Sequence, residues 1–341
     1  MSERREDFDP GGPGSSEDGI YGLGTGPEES RIHLIPVPFE ATTSYRRGTA
    51  GGPAAILEAS VQVDLYDIDN GRPYEAGICL LPERPEIAAA NERVAAAAER
   101  VIEAQGVVGD DPSLAADLEA VNAASALVNG IVREEAERVL AAGRIPAVVG
   151  GDHACPFGLI EALAARHPGL GVLHVDAHHD LRDAYEGFTW SHASIMHNVA
   201  ERLGGVARIV QVGIRDFSED EAQYMRASDR RIVTFYDGEL RKAQYRGTPF
   251  DAIARTIVSQ LPYEVHVSFD IDGLDPKLCP NTGTPVPGGL EFEEAVHLLR
   301  VLRESGRRIV GFDLCEVAPG ADEWDANVGA RILYKLCGFA L

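Results

Sequence analysis

The chain has 341 residues, 45% of them hydrophobic, and a formal net charge of −23. Acidic residues spread along the whole length repel nucleic acid, favour a cationic ligand, and match the surface of a protein adapted to high salt. No apolar run reaches the roughly 18 residues of a bilayer span, and MSERREDFDPGG lacks the zones of a secretory signal, so a cytoplasmic address without a membrane partner is expected.

Residues 1–28 are rich in Gly, Ser, Pro and acids and are read as a flexible N-terminal arm, docking late through Ile20, Tyr21 and Leu23; residues 29–341 are read as a single domain. RIHLIPVPF predicts a buried strand running into a loop, and GTAGGPAAILEAS a turn followed by a helix with Pro53 in its first turn. From about residue 86 to 142 the Ala, Glu, Val and Leu spacing predicts two helices broken at GVVGDDPS, the second starting near Asp111 or Ser113. Beyond it, IPAVVG, LGVLHVD, ARIVQVG, RRIVTF, YEVHVSFD and RRIVGFDL alternate with helical stretches. Continuous apolar runs separated by amphipathic helices predict an α/β fold, a doubly wound and mainly parallel sheet with helices on both faces.

Three of these strands run straight into acidic or histidine clusters. In a parallel sheet ligands bind outside the carboxyl ends of strands, so the clusters are expected to converge. Alternation turns Asp176, His178 and Asp180 to one side and Ala177 and His179 away; Asp270 and Asp272 repeat the pattern, and His153 follows the Gly150-Gly151 turn. His174 and His266 fall inside strands and are expected to be satisfied core residues. Four carboxylates in one cleft raise each other's pKa, and two divalent cations would cancel their charge. Asp176 and Asp270 are the candidate bridges between ions. The oxygen-rich donor set favours Mn2+, and the imidazoles keep Ni2+ open. The five cysteines, Cys79, Cys155, Cys279, Cys315 and Cys337, form no C-x-x-C pair and are expected as buried free thiols.

GGDH, DAHHD, SFDIDGLDP, TGTPVPGGL and EVAP stand in the order and spacing of the ureohydrolases, and from about residue 31 onward the chain resembles the arginase and agmatinase superfamily. The resemblance implies an arginase-like three-layer fold and a catalytic domain that releases urea from a small cationic guanidino substrate by means of a metal-bridging hydroxide. One ion is implied at His153, Asp176, Asp180 and Asp270, and a second at Asp176, His178, Asp270 and Asp272. His192, in WSHAS, matches the family's proton-shuttling histidine, for which an ordinary pKa of ~6.5 is suited. Glu316 matches the acid that grips the guanidinium. Asp216 matches a position that contacts the substrate tail or braces the pocket, with Arg215 as its expected partner. A homo-oligomer, trimer or hexamer, is also implied.

For the substrate, PFEATTSYRRGT and EWDANVGARILYKLCG resemble the nickel-dependent branch acting on free guanidine and unassigned agmatinase-like proteins. Trp324 closing over the guanidinium would leave little room for a tail; packing against a neighbouring subunit is the other expectation for it. Thr42 or Thr43 would complete a small pocket. The expected substrate is therefore compact, free guanidine ahead of agmatine and guanidinobutyrate. A fold-related deacetylase would carry a tandem histidine pair, but His178-His179 lies within the metal motif. A non-catalytic regulatory homologue is disfavoured by intact His192 and Glu316.

Overall fold

The computed structural model describes residues 8–341; the first seven residues of the expected arm lie outside the described residues. Among the described residues eight strands form one sheet: β1 (Ile32–Val37), β2 (Ile78–Leu80), β3 (Ile145–Gly150), β4 (Leu170–Val175), β5 (Val206–Ile214), β6 (Ile232–Tyr236), β7 (Glu264–Asp270) and β8 (Arg308–Cys315). Their order is β2-β1-β3-β8-β7-β4-β5-β6 and every neighbouring pair is parallel. Seven strands form at the apolar runs predicted from sequence, three of them (β5, β6 and β8) running one residue past an end of the run. The eighth, β2, is a three-residue edge strand on β1, too short for an apolar run to announce it.

Successive side chains of a strand point to opposite faces, and here both faces are buried. On one face Ile32, Leu34, Val149, Leu173 and Val267 join a core closed by α1 (Gly52–Ser60), with Pro53 in its first turn, and by helices nearer the C-terminus. On the other, Ile35, Val37, Val148 and Val172 pack under α2 (Pro85–Glu103), α3 (Pro112–Ala141), α4 (Phe157–Arg166) and α5 (Ile195–Arg202). The long α3 starts where capping chemistry predicts: the Asp111 carboxylate accepts from the backbone N–H of Ser113 and Leu114, and Pro112 fills the first helical position. The remaining helices are α6 (Glu219–Ala227), α7 (Asp237–Tyr245), α8 (Phe250–Ser259), α9 (Phe292–Glu304) and α10 (Trp324–Ala340). Among the described residues no helix is long and apolar enough to cross a membrane.

In the described part of the expected arm, Ile20 and Tyr21 are buried and Leu23 packs partly buried beside them. The Tyr21 N–H donates to Ser60 Oγ at 2.8 Å and its hydroxyl to the Ala330 carbonyl at 3.0 Å, tying this segment to α1 and α10. The five cysteines are buried and unpaired.

Candidate metal centre

Five strands adjacent in the sheet, β3, β8, β7, β4 and β5, send their carboxyl ends to one place. After β3 the chain turns at Gly151, where a side chain would meet the Phe39 carbonyl at 2.1 Å, and presents Asp152 and His153. After β4 come Asp176, His178 and Asp180; β7 ends in Asp270 and a 3-10 turn carrying Asp272; Glu316 follows β8 and Asp216 follows β5. Asp180 and Glu316 take left-handed backbone conformations, with φ of 53° and 64°. For residues other than glycine this costs about 1–3 kcal/mol each, and such strain concentrates at functional sites.

His153 Nδ1 lies 2.9 Å from Asp176 Oδ2, 3.2 Å from Asp180 Oδ2 and 3.2 Å from Asp270 Oδ2. His178 Nδ1 lies 3.2 Å from Asp272 Oδ2 and 3.4 Å from Asp176 Oδ1. Asp176 thus offers one oxygen to each histidine. Asp270 turns Oδ2 to His153 and accepts the Asp272 N–H on Oδ1 at 2.8 Å. Two groups of donors, His153, His174, Asp176 and Asp180 in one and Asp176, His178 and Asp272 in the other, each have atoms within 4.8 Å of one another, share Asp176 and could hold two ions. Asp270 falls in neither group and reaches the first only through its contact with His153. His153 and the four aspartates are buried; His178 is part-exposed, toward a cavity.

Electrostatics support that use. Burial, then the neighbouring Asp272 and Asp176 carboxylates, push Asp270 well above the ordinary range, and burial and Asp176 push Asp180 up to about 6. Burial opposes ionisation of Asp176 too, but His174, His153 and His178 converge on it and hold it well below that range. Burial would lower both His153 and His178, and the facing carboxylates outweigh it and raise them. So much negative charge packed into a dry site is what divalent cations neutralise, and its oxygen-rich, thiolate-free donors suit a hard ion.

Glu316 Oε1 accepts the His153 backbone N–H at 2.9 Å, while Oε2 is buried without a partner. Burial and the carboxylates of Asp152 and Asp272 raise its pKa well above normal. His192 is buried: its backbone N–H donates to Thr42 Oγ1 at 3.0 Å, Nε2 lies 3.4 Å from Ser44 Oγ, and Nδ1 has no partner. Its pKa is not the ordinary one expected from sequence. Burial, then the His178 charge, pushes it down to about 4.

A cavity of about 340 Å³ opens from His178, Asp180 and His192 past Ser44 to Tyr45 and Asp216. Asp216 is exposed there, and Arg215 does not pair with it: that guanidinium donates instead to the carbonyls of Gly213, Asp272, Leu274 and Val286. Trp324 is not part of the cavity wall. It opens α10, 47% exposed, with its indole N–H donating to the Lys277 carbonyl at 2.9 Å. Thr42 is spent on Asp152, donating to Oδ2 at 2.8 Å, and neither it nor Thr43 lines the cavity. A larger cavity, about 1400 Å³, lies under the N-terminal segment and shares no lining residue with this site.

His179 faces away from the carboxylates, as alternation predicts, its Nδ1 2.6 Å from Gln211 Oε1. His266 is a buried core residue but only half satisfied: Nε2 lies 2.7 Å from Asp313 Oδ2, while Nδ1 is buried without a partner. His174 is buried but belongs to the site, with Nε2 2.8 Å from Asp176 Oδ2. The signal for it was its parity with Asp176 along β4. Ser268, 2.9 Å from His153 Nε2, and Gln211 carry no sequence signal of a role here, since a lone polar residue within a strand has many uses.

A sequence profile described as Arginase family matches residues 30–338. The N(1)-aminopropylagmatine ureohydrolase of Thermus thermophilus is 32% identical over 91% of this chain and 90% of its own length. That of Thermococcus kodakarensis is 33% identical over 86% of this chain and 84% of its own. The agmatine ureohydrolase structure of Thermoplasma volcanium superposes with a TM-score of 0.70 at 25% identity, covering 93% of this chain and 92% of that one. With the matched profile spanning nearly the whole fold, the chain belongs to the arginase family, hydrolases of carbon–nitrogen bonds in linear amidines.

Proposed function

We propose that the protein releases urea from a guanidino compound with an amine-bearing tail, as agmatine has, using two divalent ions held by His153, His178, Asp176, Asp180, Asp270 and Asp272. The cavity carries this reading. Its roughly 340 Å³ far exceeds a four-heavy-atom guanidinium, for which about 30 Å³ per water-sized atom gives roughly 100 Å³. An exposed carboxylate, Asp216, stands on its outer wall and suits a cationic tail. The agmatine-derived names of the relatives point the same way. Free guanidine, the compact substrate expected from sequence on Trp324 together with two segments, loses the first of these motives once Trp324 stands outside the cavity wall.

Bound metal ions would supply positive charge and a water acidified to near neutral pH. The chain's own residues do the rest. Glu316 Oε2, unpartnered and buried, accepts from the guanidinium N–H groups and fixes the plane of the cation. His192, a neutral imidazole at neutral pH, takes a proton at the cavity wall and returns it to the leaving amine. Mn2+ fits the donor set best and Ni2+ is the alternative; a cytoplasmic trimer or hexamer completes the proposal.

The test is urea release from agmatine, N(1)-aminopropylagmatine, guanidinobutyrate, arginine and guanidine, with manganese or nickel loaded. Amine-tailed substrates are expected to give the highest kcat/KM. Turnover of guanidine with none of agmatine overturns the choice of substrate.

Gly283 supplies a second test. A Cβ there would sit 2.9 Å from Glu316 Oε2 and 3.5 Å from both the Arg46 carbonyl and Thr43 Cγ2. Glu316 is not itself in the wall of the 340 Å³ cavity, so the proposed contact reaches beyond that wall toward Oε2, and a Cβ on Gly283 would obstruct it. Its backbone has no positive φ, so Gly283→Ala is a steric change alone. Overpacking of about 1–3 kcal/mol corresponds to roughly a 5- to 150-fold loss of kcat/KM. Metal content is expected to stay unchanged; parental kinetics in this variant would move the guanidinium elsewhere.

A further inference from the structure

We propose that Gln211 is a positioning residue of the metal centre, locking His174 as the neutral Nε2–H tautomer that donates to Asp176, the carboxylate shared between the two ion positions. The inference rests on the two-metal reading of the site and assigns a role to residues outside the ligand set.

Gln211 on β5 stands in register with His174 on β4, and both are fully buried. Its amide has only one orientation that satisfies its neighbours. The group 2.7 Å from the His179 carbonyl must be the amide nitrogen, because a carbonyl oxygen can only accept. The amide oxygen then accepts from His179 Nδ1 at 2.6 Å and from the Thr234 hydroxyl at 3.1 Å. With the nitrogen so fixed, its second N–H points at His174 Nδ1, 3.0 Å away, which must therefore carry a lone pair.

The remaining proton of His174 sits on Nε2, 2.8 Å from Asp176 Oδ2. A doubly protonated His174 would set donor against donor in a site closed to water. A His174 that ligated an ion through Nε2 would have to give up that proton. The tautomer therefore removes His174 from the ligands, although its atoms lie among the donor group of His153, Asp176 and Asp180. It delivers a hydrogen bond to Asp176 from Nε2 and leaves Nδ1 to Gln211. Such outer partners orient a ligating carboxylate, and losing one typically weakens metal affinity about 10- to 100-fold.

The experiment is calorimetric titration of manganese into the full chain after chelation, for the parent, Gln211→Leu, His174→Phe and the double variant. A parent that binds no metal sinks the two-metal reading itself. If the parent binds, each single variant is expected to bind about 10- to 100-fold more weakly. The double variant is expected to lose no more than either single, because one residue acts through the other. Parental affinity in Gln211→Leu, or losses that multiply in the double variant, overturn the proposal. If the variants do not fold, 15N-imidazole spectra of the parent chain loaded with diamagnetic zinc decide. His174 is expected with Nε2 protonated and Nδ1 bare, and a doubly protonated or Nδ1–H ring overturns the proposal.

Discussion

Asp270→Asn is expected to abolish metal binding and urea release together. Asp270 is buried, with one oxygen 3.2 Å from His153 Nδ1 and the other accepting the Asp272 N–H. Asparagine has nearly the same shape and can keep that backbone acceptor, so the turn after β7 survives while the negative charge is lost. Metal catalysis contributes several kcal/mol at roughly tenfold per 1.36, so the loss of rate should be on the order of 10³-fold or more. The metal-free variant should also outlast its metal-free parent on heating at neutral pH. Burial and the neighbouring carboxylates raise the folded pKa of Asp270, so the folded chain holds that proton more tightly than the unfolded one. Stability from this group is therefore greatest at low pH and declines as pH climbs above the unfolded carboxyl value, a penalty asparagine removes. Elemental analysis, a urea assay and a melting curve on one preparation test all three effects. Retained activity would contradict a role for Asp270 in holding the ions.

Glu316→Gln should leave metal content intact and still cripple turnover. The amide oxygen can accept the His153 backbone N–H as Glu316 Oε1 does, but the anionic partner of a guanidinium is gone. Removing one member of a buried, hydrogen-bonded charge pair costs about 2–5 kcal/mol, which is roughly 30- to 5000-fold in kcat/KM. Every guanidino substrate should suffer alike, because the contact is with the guanidinium and not the tail. A variant with unchanged kcat/KM, or one that lost its metal, would reassign Glu316 from substrate to scaffold.

The metal-site pattern was legible for local reasons. Asp176, His178 and Asp180, like Asp270 and Asp272, recur at every second residue, which marks them as a set. The extended geometry behind that reading does not last, since Asp180 has a φ of 53° and Asp272 sits in a 3-10 turn, and it is these turns that bring the donors together. Long apolar strands likewise announce themselves by burial on both faces, whereas the edge strand β2 has one neighbour and three residues. The direction of Trp324 was not legible, because a ring near a site motif in sequence says nothing of where it points; α10 begins there and its indole bonds to the Lys277 carbonyl, outside the cavity wall. The acidity of His192 was misread because an ordinary pKa presumes water, and the folded chain buries the ring.

By itself the sequence determined the α/β class, the chemical character of the donors and the family, since all three reside in residue type and short-range spacing. Only the tertiary structure decided that β3, β8, β7, β4 and β5 lie side by side, so that donors as far apart as His153 and Asp270 touch. It also decided which buried groups bond to which: His174 to Asp176, Gln211 to His174, Arg215 to backbone carbonyls and not to Asp216. Hydrogen bonds and desolvation act over a few ångströms, and proximity between distant parts of the chain exists only once the sheet has assembled.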